Sequence, residues 1–473
     1  MLSSEKAEKL ERYDGSSSSS LPGLQKMPRA FAISIIQTLR QKGFAAYLAG
    51  GCVRDMLLGR EPKDYDVATS ASPPQVMEIF PETYAVGAQF GVVLVPEPEE
   101  QRTSNEIPRR TVEVATFRSD HGYSDGRRPD EVRFAGDPRD DVARRDFTIN
   151  GMMLDPLSGE VLDYVGGRED LKAGVIRAIG RPELRFGEDK LRMLRAVRFA
   201  ARFEYSIEPE TLTAIQDYAA DIKAVSRERV RDELTRMLTD GHPQRAFQLL
   251  DESGLLIEVL PEISAMKGVE QPAEYHPEGD VFVHTLLVLE NLPQPCPPEL
   301  AWGALLHDVG KPPTFRRAPD RIRFDSHVEV GATIAREICG RLRFSGDDTA
   351  QVLALVDNHM RFGHVGRMKE STLKRFFRLE KFDQHLALHR ADCLGSHCNL
   401  EGYEFVQAKL RELPPQQIKP QLFATGDDLI REGYKPGPRF REILEAVEDA
   451  QLEGRVSSPE TAMEFVRGHF PLE

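Results

Sequence analysis

Hydrophobic and polar positions alternate in a mixed pattern over the first third of the chain and settle into a helical one afterwards. From Pro28, the apolar residues Phe31, Ile33, Ile35, Ile36 and Leu39 follow an amphipathic helix, which Gly43 closes. A short apolar run at 45–49 predicts a strand that ends on Gly50 and Gly51. A short helix and a second strand carrying Asp64 and Asp66 follow. Ser72-Pro73-Pro74 reads as an N-cap with proline in the first turn, opening a helix over 75–80. The stretches 91–95 and 111–117 predict two more strands, and the polar, proline-bearing link 96–110 reads as an extended hairpin loop or insertion. The turn-rich stretch 120–129, without periodicity, predicts a mobile loop. Asp137-Pro138 predicts the start of a helix that bears residues 144–151. Helical patterns then recur at 187–199, from Ser226 to 238, and at 246–250, 281–289, 300–306, 405–413 and 440–453. Residues 1–27, charged and then serine-rich, read as a disordered leader.

A chain of 473 residues has room for about three domains. The net charge of −14 argues against a generally basic coat, so any nucleic acid must bind a local basic surface. No apolar run approaches the roughly 18 residues of a membrane span, and the N-terminus lacks a basic-then-apolar signal pattern. Five scattered cysteines without a Cys-x-x-Cys pair fit reduced thiols in the cytoplasm.

Candidate chemistry gathers first around Gly50-Gly51-Cys52-Val53-Arg54-Asp55 and Asp64-Tyr65-Asp66. Glycines at a strand-to-helix turn let a phosphate approach the backbone, and the helix N-terminus favours its charge. Two aspartates two apart on a strand share a face, and paired hard oxygens suit Mg²⁺ that also holds substrate phosphates. Alone, a Gly-Gly turn is usually a turn and Asp-x-Asp a solvated strand end. In this order the stretch resembles the nucleotidyltransferase superfamily, specifically the class II tRNA nucleotidyltransferase and bacterial poly(A) polymerase family. Glu113, on the strand after, is then expected as a third catalytic carboxylate beside Asp64 and Asp66, against the plain alternative of an edge glutamate facing water.

Further motifs extend the resemblance over about 28–265. Arg144-Arg145-Asp146-Phe147-Thr148-Ile149-Asn150-Gly151 is similar to the family's Arg-Arg-Asp-Phe-Thr-x-Asn-Ala, with Gly151 in place of alanine. The loop at 120–129 corresponds to the one that helps switch nucleotide choice in the family. Asp189, Arg192, Arg195 and Arg198, spaced by three, would form one helical stripe. The resemblance implies that Asp189 and Arg192 read the Watson–Crick edge of the incoming base. Aspartate offers acceptors and arginine donors, so the pair can complement both C and A in place of a nucleic-acid template. Gly50, Gly51, Arg54, Arg145, Arg195 and Arg198 would bind the nucleotide's phosphates or the adjacent backbone.

A second chemistry starts near 276. His284, His307-Asp308 followed by Val309-Gly310-Lys311, and Asp392 lie on separate helical patterns. Imidazoles and carboxylates drawn from several helices suit a divalent transition metal. The ordered set resembles the HD phosphohydrolase superfamily. His327 and His359 exceed its minimal motif and point to a second ion, with Asp308 available as a bridge. A metal-bound hydroxide there would hydrolyse a phosphate ester or a 2′,3′-cyclic phosphate.

The fold expected is therefore an α+β nucleotidyltransferase head with a mixed sheet (28–150), an all-α neck and body (151–265), an all-α HD domain (266–400) and a helical tail (401–473) packed on it. The resemblance implies untemplated addition of C, C and A to the tRNA 3′ end from CTP and ATP, with Mg²⁺ as cofactor, and neither DNA nor membrane as partner. Poly(A) polymerase is the neighbouring reading, although Gly87-Ala88-Gln89-Phe90-Gly91 lacks the Arg-Arg-Phe-Arg pattern associated with that subgroup. Specialised CC- or A-adding enzymes share the same motifs. A reading of another class makes the HD domain the enzyme and the N-terminal half an RNA-binding module; the intact Asp64, Asp66 and Glu113 argue against it.

Overall fold

The computed structural model describes residues 28–84, 91–97, 111–121 and 131–472. The leader 1–27, the link 98–110 and most of the loop 120–129 lie outside these. Contacts divide the chain into two compact units, Met1–Val259 and Leu260–Glu473.

The first unit is built on α1 (Pro28–Gln41), β1 (Ala46–Ala49), α2 (Gly51–Leu57), β2 (Asp66–Thr69), α3 (Pro73–Ile79), β3 (Val92–Pro96) and β4 (Thr111–Thr116). Next come β5 (Arg118–His121), β6 (Glu131–Phe134), α4 (Pro138–Ala143), β7 (Met152–Leu154) and β8 (Val161–Asp163). Six strands form one sheet in the order β3-β4-β2-β1-β7-β8. The β2–β4 pair is parallel and the others antiparallel. The sheet is mixed, as expected. β3 and β4 pair antiparallel, as the two ends of a hairpin must, and β5 pairs with β6 in a separate ladder. Ser72 caps α3 through a capping box with Gln75.

Three local expectations are corrected. β2 starts at Asp66, so Asp64 precedes the strand instead of standing in it. The β1–β2 register ends at Leu48↔Val67 because β1 turns away at Gly50, leaving Asp64 no partner. α4 stops at Ala143, and the motif from Arg144 to Gly151 follows it as an irregular segment with a single 3₁₀ turn at Thr148–Asn150. The Asp146 carboxylate accepts the Phe147 N–H at 2.8 Å, a side-chain bond that competes with helix continuation. Asp189 also lies outside a helix, in extended conformation between α5 (Pro182–Glu188) and α6 (Leu191–Phe203), where it accepts the Leu191 N–H at 3.1 Å. α6 packs against α7 (Arg227–Thr239) and α8 (Pro243–Glu252).

The second unit is helical apart from a small two-stranded ladder, Arg316–Arg317 with Ile322–Arg323. Its centre is formed by α9 (Val281–Glu290), α10 (Pro298–Leu306), α11 (His327–Arg341), α12 (Gly346–Asn358), α13 (Glu370–Phe376) and α14 (Phe382–Leu394). The tail adds α15 (Glu401–Glu412), α16 (Pro438–Leu452) and α17 (Pro459–His469), the last beyond the two helices expected there. Leu429, Ile443, Val447, Ala462 and Val466 give the tail a core of its own. It joins α13 through Arg375 to Glu448 and Asp449, and through Lys374 Nζ to Leu452 O.

Candidate active sites

In the first unit, the sheet register brings the end of β1 beside the start of β2, so the Gly50-Gly51 turn meets Asp66. Gly50 has φ +76, a conformation L side chains rarely adopt. A Cβ there would stand 2.7 Å from Arg145 Nη1. The glycine thus supplies both the turn and room for a guanidinium. Asp66 and Glu113 are direct partners in the parallel β2–β4 register. Burial, and then Glu113 and Asp64, push the Asp66 carboxyl up to about 6, while Arg145 acts the other way. Acids crowded in this manner are relieved by a divalent cation with oxygen preference.

Behind the turn the charges are braced. Asp141, fully buried, accepts N–H bonds from both Arg144 (Nε, 2.8 Å) and Arg145 (Nη2, 2.8 Å). Burial alone would raise its pKa; Arg145 and Arg144 hold it below the usual carboxylate range. Asp146 accepts from Asn150 Nδ2 at 3.0 Å and from Arg195 Nε and Nη2 at 2.9 and 2.7 Å. Against burial, Arg195 and these hydrogen bonds bring it down to about 2. The buried Arg54 donates to Asn150 and Asp55 and lies over the Phe203 ring at 4.7 Å.

The Asp189 and Arg192 side chains are not bonded to each other, although the Arg192 backbone N–H donates to Asp189 O at 3.0 Å. Arg229 on α7 grips Asp189 with two N–H donors, at 3.2 Å to Oδ1 and 2.7 Å to Oδ2. Arg192 donates to Glu188, to Arg185 O at 3.1 Å and to Arg144 O at 2.8 Å. Arg198 is buried and bonded to Glu233 on α7 at 2.6 Å. These groups converge on one cavity of about 620 Å³, lined by nine arginines and four aspartates. In a chain of net charge −14, this is a local cationic chamber with an acidic rim at Asp64 and Asp66, suited to a polyphosphate and metal together.

The second unit collects all six residues of the other set. His284 Nε2 lies 3.1 Å from Asp392 Oδ1 and 3.3 Å from His307 Nε2. Asp308 turns Oδ2 towards His307 Nε2 (3.2 Å) and Oδ1 towards His359 Nε2 (3.7 Å) and His327 Nε2 (3.9 Å). The Nδ1 atoms of His307, His327 and His359 lie 2.7–2.9 Å from the backbone oxygens of Ala304, Phe324 and Val356. Those bonds direct each Nε2 at the carboxylates, as the outer partners of metal-ligating histidines do. Nε2 of His327 and of His359 is buried without a hydrogen-bond partner. Burial and His307 push His359 down to about 4, leaving a neutral ring with a free lone pair. Two donor groups result, His284–His307–Asp392 and Asp308–His327–His359, and the residues fit a divalent metal in each. The cavity above them, about 580 Å³, is walled by Lys311, Arg321 and Arg323 and by Tyr275, Phe324 and Met360.

Residues 46–177 match the model described as Poly A polymerase head domain, residues 204–267 the model of a probable RNA and SrmB-binding site of polymerase A, and residues 281–383 the HD domain. The chain is 40% identical to the CCA-adding enzyme of Lactobacillus johnsonii over 94% of its own length and 98% of that protein. It is 33% identical to that of a Geobacillus species, over 92% and 95%. The chain belongs to the CCA-adding enzyme family. Among solved structures, the Bacillus stearothermophilus CCA-adding enzyme in complex with CTP superposes with a TM-score of 0.72, at 27% identity, covering 94% of this chain and 99% of that one.

Within this CCA-adding enzyme family member, the structure gathers Gly50, Gly51, Arg54, Asp64, Asp66, Arg145, Asp189, Arg192, Arg195 and Arg198 around one chamber, with Glu113 beside Asp66. Sequence reasoning did not single out Asp141, Arg229, Glu233 or Glu278. Asp141 stands three and four residues before Arg144 and Arg145, a spacing that could have shown it. Glu278 Oε1 lies 2.8 Å from His284 Nδ1 and 2.9 Å from His276 Nδ1, from a turn that carries no motif. Among the described residues no helix is long and apolar enough to cross a membrane.

Proposed function

We propose that this chain adds C, C and A to the 3′ end of tRNA in the cytoplasm, taking CTP and ATP in turn without a nucleic-acid template. The observation that carries the reading is the single chamber in which an acidic rim, arginines and the Asp189–Arg192 pair face one space. Full-length similarity to CCA-adding enzymes supports it.

Asp64 and Asp66 would hold Mg²⁺. Bound there, the ions supply activation of an attacking 3′-hydroxyl and neutralisation of a leaving pyrophosphate. The chain's own part is placement. Arg54 and Arg145, with the Gly50 and Gly51 backbone, hold the triphosphate, and Asp141 keeps the Arg145 fork aimed at the turn. Arg195 and Arg198 add charge to the chamber while bracing Asp146 and Glu233. Asp189 accepts from, and Arg192 donates to, the edge of the incoming base. Glu113, next to Asp66, accepts the proton of the 3′-hydroxyl.

In the second unit we assign a metal-dependent phosphohydrolase. His284, His307, Asp308 and Asp392 would hold one transition-metal ion, and Asp308, His327 and His359 a second. Such ions supply a hydroxide nucleophile at neutral pH. Lys311 and Arg321 would orient a phosphate ester or cyclic phosphate.

The test is incorporation of labelled CTP, ATP or both, with Mg²⁺, into tRNA that ends at the discriminator base. Three additions that need both nucleotides are expected. A ladder from ATP alone would make the chain a poly(A) polymerase, and a stop after two C or one A would make it a specialist.

A further inference from the structure

The carboxylate and the guanidinium proposed to read the base face one chamber, yet their bonds to other side chains go elsewhere. A free aspartate and arginine on adjacent turns would close into an ion pair and offer no hydrogen-bonding groups to a base. Here each is claimed by another partner. Arg192 is held by Glu188 and by two backbone oxygens, of Arg185 and Arg144. Asp189 is held on both oxygens by the fork of Arg229. Oδ1 also accepts the Leu191 N–H at 3.1 Å, and among the described residues the Arg229 fork is the one side chain that bonds the Asp189 carboxylate. It comes from α7, forty residues away in sequence, on a guanidinium that is itself part of the chamber wall. Each carboxylate oxygen has two acceptor positions. Arg229 and the Leu191 N–H fill both on Oδ1, and Arg229 takes one on Oδ2, so the acceptor position left on Oδ2 is fixed in direction.

We infer that Arg229 is a specificity-determining positioning residue: it sets the direction of the remaining Asp189 acceptor and keeps Asp189 from pairing with Arg192. The inference rests on the reading of Asp189 and Arg192 as the base-selecting pair. Without Arg229 the carboxylate swings to Arg192, and the donor–acceptor pattern that separates C and A from U and G is lost. A merely structural Arg229 would instead weaken all nucleotides alike.

The experiment uses the full chain and tRNA ending at the discriminator base, with CTP, UTP and GTP for the first addition. ATP and its competitors are tested on tRNA ending in CC. Steady-state kcat/KM is measured for each, with thermal melting alongside, for the unsubstituted chain, Arg229→Ala, Asp189→Ala and the double variant. Arg229→Ala is expected to lower the CTP-to-UTP and ATP-to-GTP preferences about tenfold, the scale of one charge-assisted hydrogen bond. The double variant is expected to discriminate no worse than Asp189→Ala alone. Should Arg229→Ala not fold, Arg229→Lys decides, since it keeps the charge but lacks the fork; a part-way loss of preference is expected. Preferences unchanged, or all nucleotides slowed by one factor, overturn the inference while the functional reading stands. Failure of the unsubstituted chain to incorporate CTP or ATP overturns the reading, and the inference with it.

Discussion

Asp66 and Glu113 stand opposite one another in the parallel β2–β4 pair of the sheet. Their mutual repulsion, added to the burial of Asp66, raises the Asp66 carboxyl to about 6. A carboxyl whose folded pKa exceeds its unfolded value binds a proton on folding. It is therefore a cost to stability above about pH 6, relieved as pH falls through that value towards the unfolded pKa. Without divalent metal, Glu113→Gln is expected to raise the melting temperature at pH 7 and to shrink the gain on acidification to pH 5. Added Mg²⁺ should raise the melting temperature of the unsubstituted chain more than that of Asp66→Asn. Nucleotide incorporation should fall as pH drops below about 6. Scanning calorimetry across pH, with and without Mg²⁺, checks the first two, and a pH–rate profile the third.

Gly50 and Gly59 provide a matched comparison. Both have positive φ, +76 and +68, but a Cβ at Gly59 meets nothing within 4 Å, whereas one at Gly50 meets Arg145 Nη1. Alanine is strained by the positive φ at both sites, and the more so at Gly50, whose ψ of −132 falls outside the left-handed helical region. Only Gly50→Ala also displaces the guanidinium. Its KM for both CTP and ATP should rise about tenfold or more, the cost of losing a charge-assisted hydrogen bond, while Gly59→Ala changes melting but not KM. Steady-state kinetics on the two variants separate strain from displacement.

Asp308 reaches both histidine groups with different oxygens. Asp308→Ala should therefore lose metal from both groups, whereas His359→Gln should lose it from one. Metal content after dialysis, read by mass spectrometry, is expected to fall from two ions per chain to none and to one. Phosphatase activity should follow the metal and return with it after chelation and reloading, and nucleotide incorporation should persist in both variants.

Arg198 and Glu233 are both buried, at 4% and 3% exposure, so neither charge can turn to water. Glu233→Ala should cost about 3–5 kcal/mol by stranding the guanidinium. Replacing both, as Arg198→Met with Glu233→Leu, should recover most of that loss in denaturant titration. Activity of the double variant then reports what Arg198 contributes beyond bracing.

The sequence displayed the chemistry more fully than its bracing. Asp64, Asp66 and the histidines are visible because their order and spacing are themselves the signal. The helix expected through Arg144 was misplaced because the Asp146 carboxylate takes the N–H of the next residue, Phe147, an effect no periodicity registers. Asp189 left its helix for the same reason. The Arg229–Asp189 and Arg198–Glu233 bonds depend on α7 packing against α6. From the pattern alone, Arg229 and Glu233 are ordinary charged residues of an amphipathic helix. Glu278 is hidden for another reason: it sits in a turn before α9, where an isolated glutamate usually meets solvent.

The tail meets α13 in two ways: α15 buries Val406 in one apolar cluster with Leu373 and Phe376, while α16 is met by charge, Arg375 of α13 and Arg378 just after it facing Glu448 and Asp449. The two parts respond to different properties of the medium. Ionic strength weakens exposed ion pairs and leaves apolar burial intact. Because the α16 pairs are partly buried, salt screens them only in part, and it loosens α16 from α13 while α15 stays seated on its apolar face.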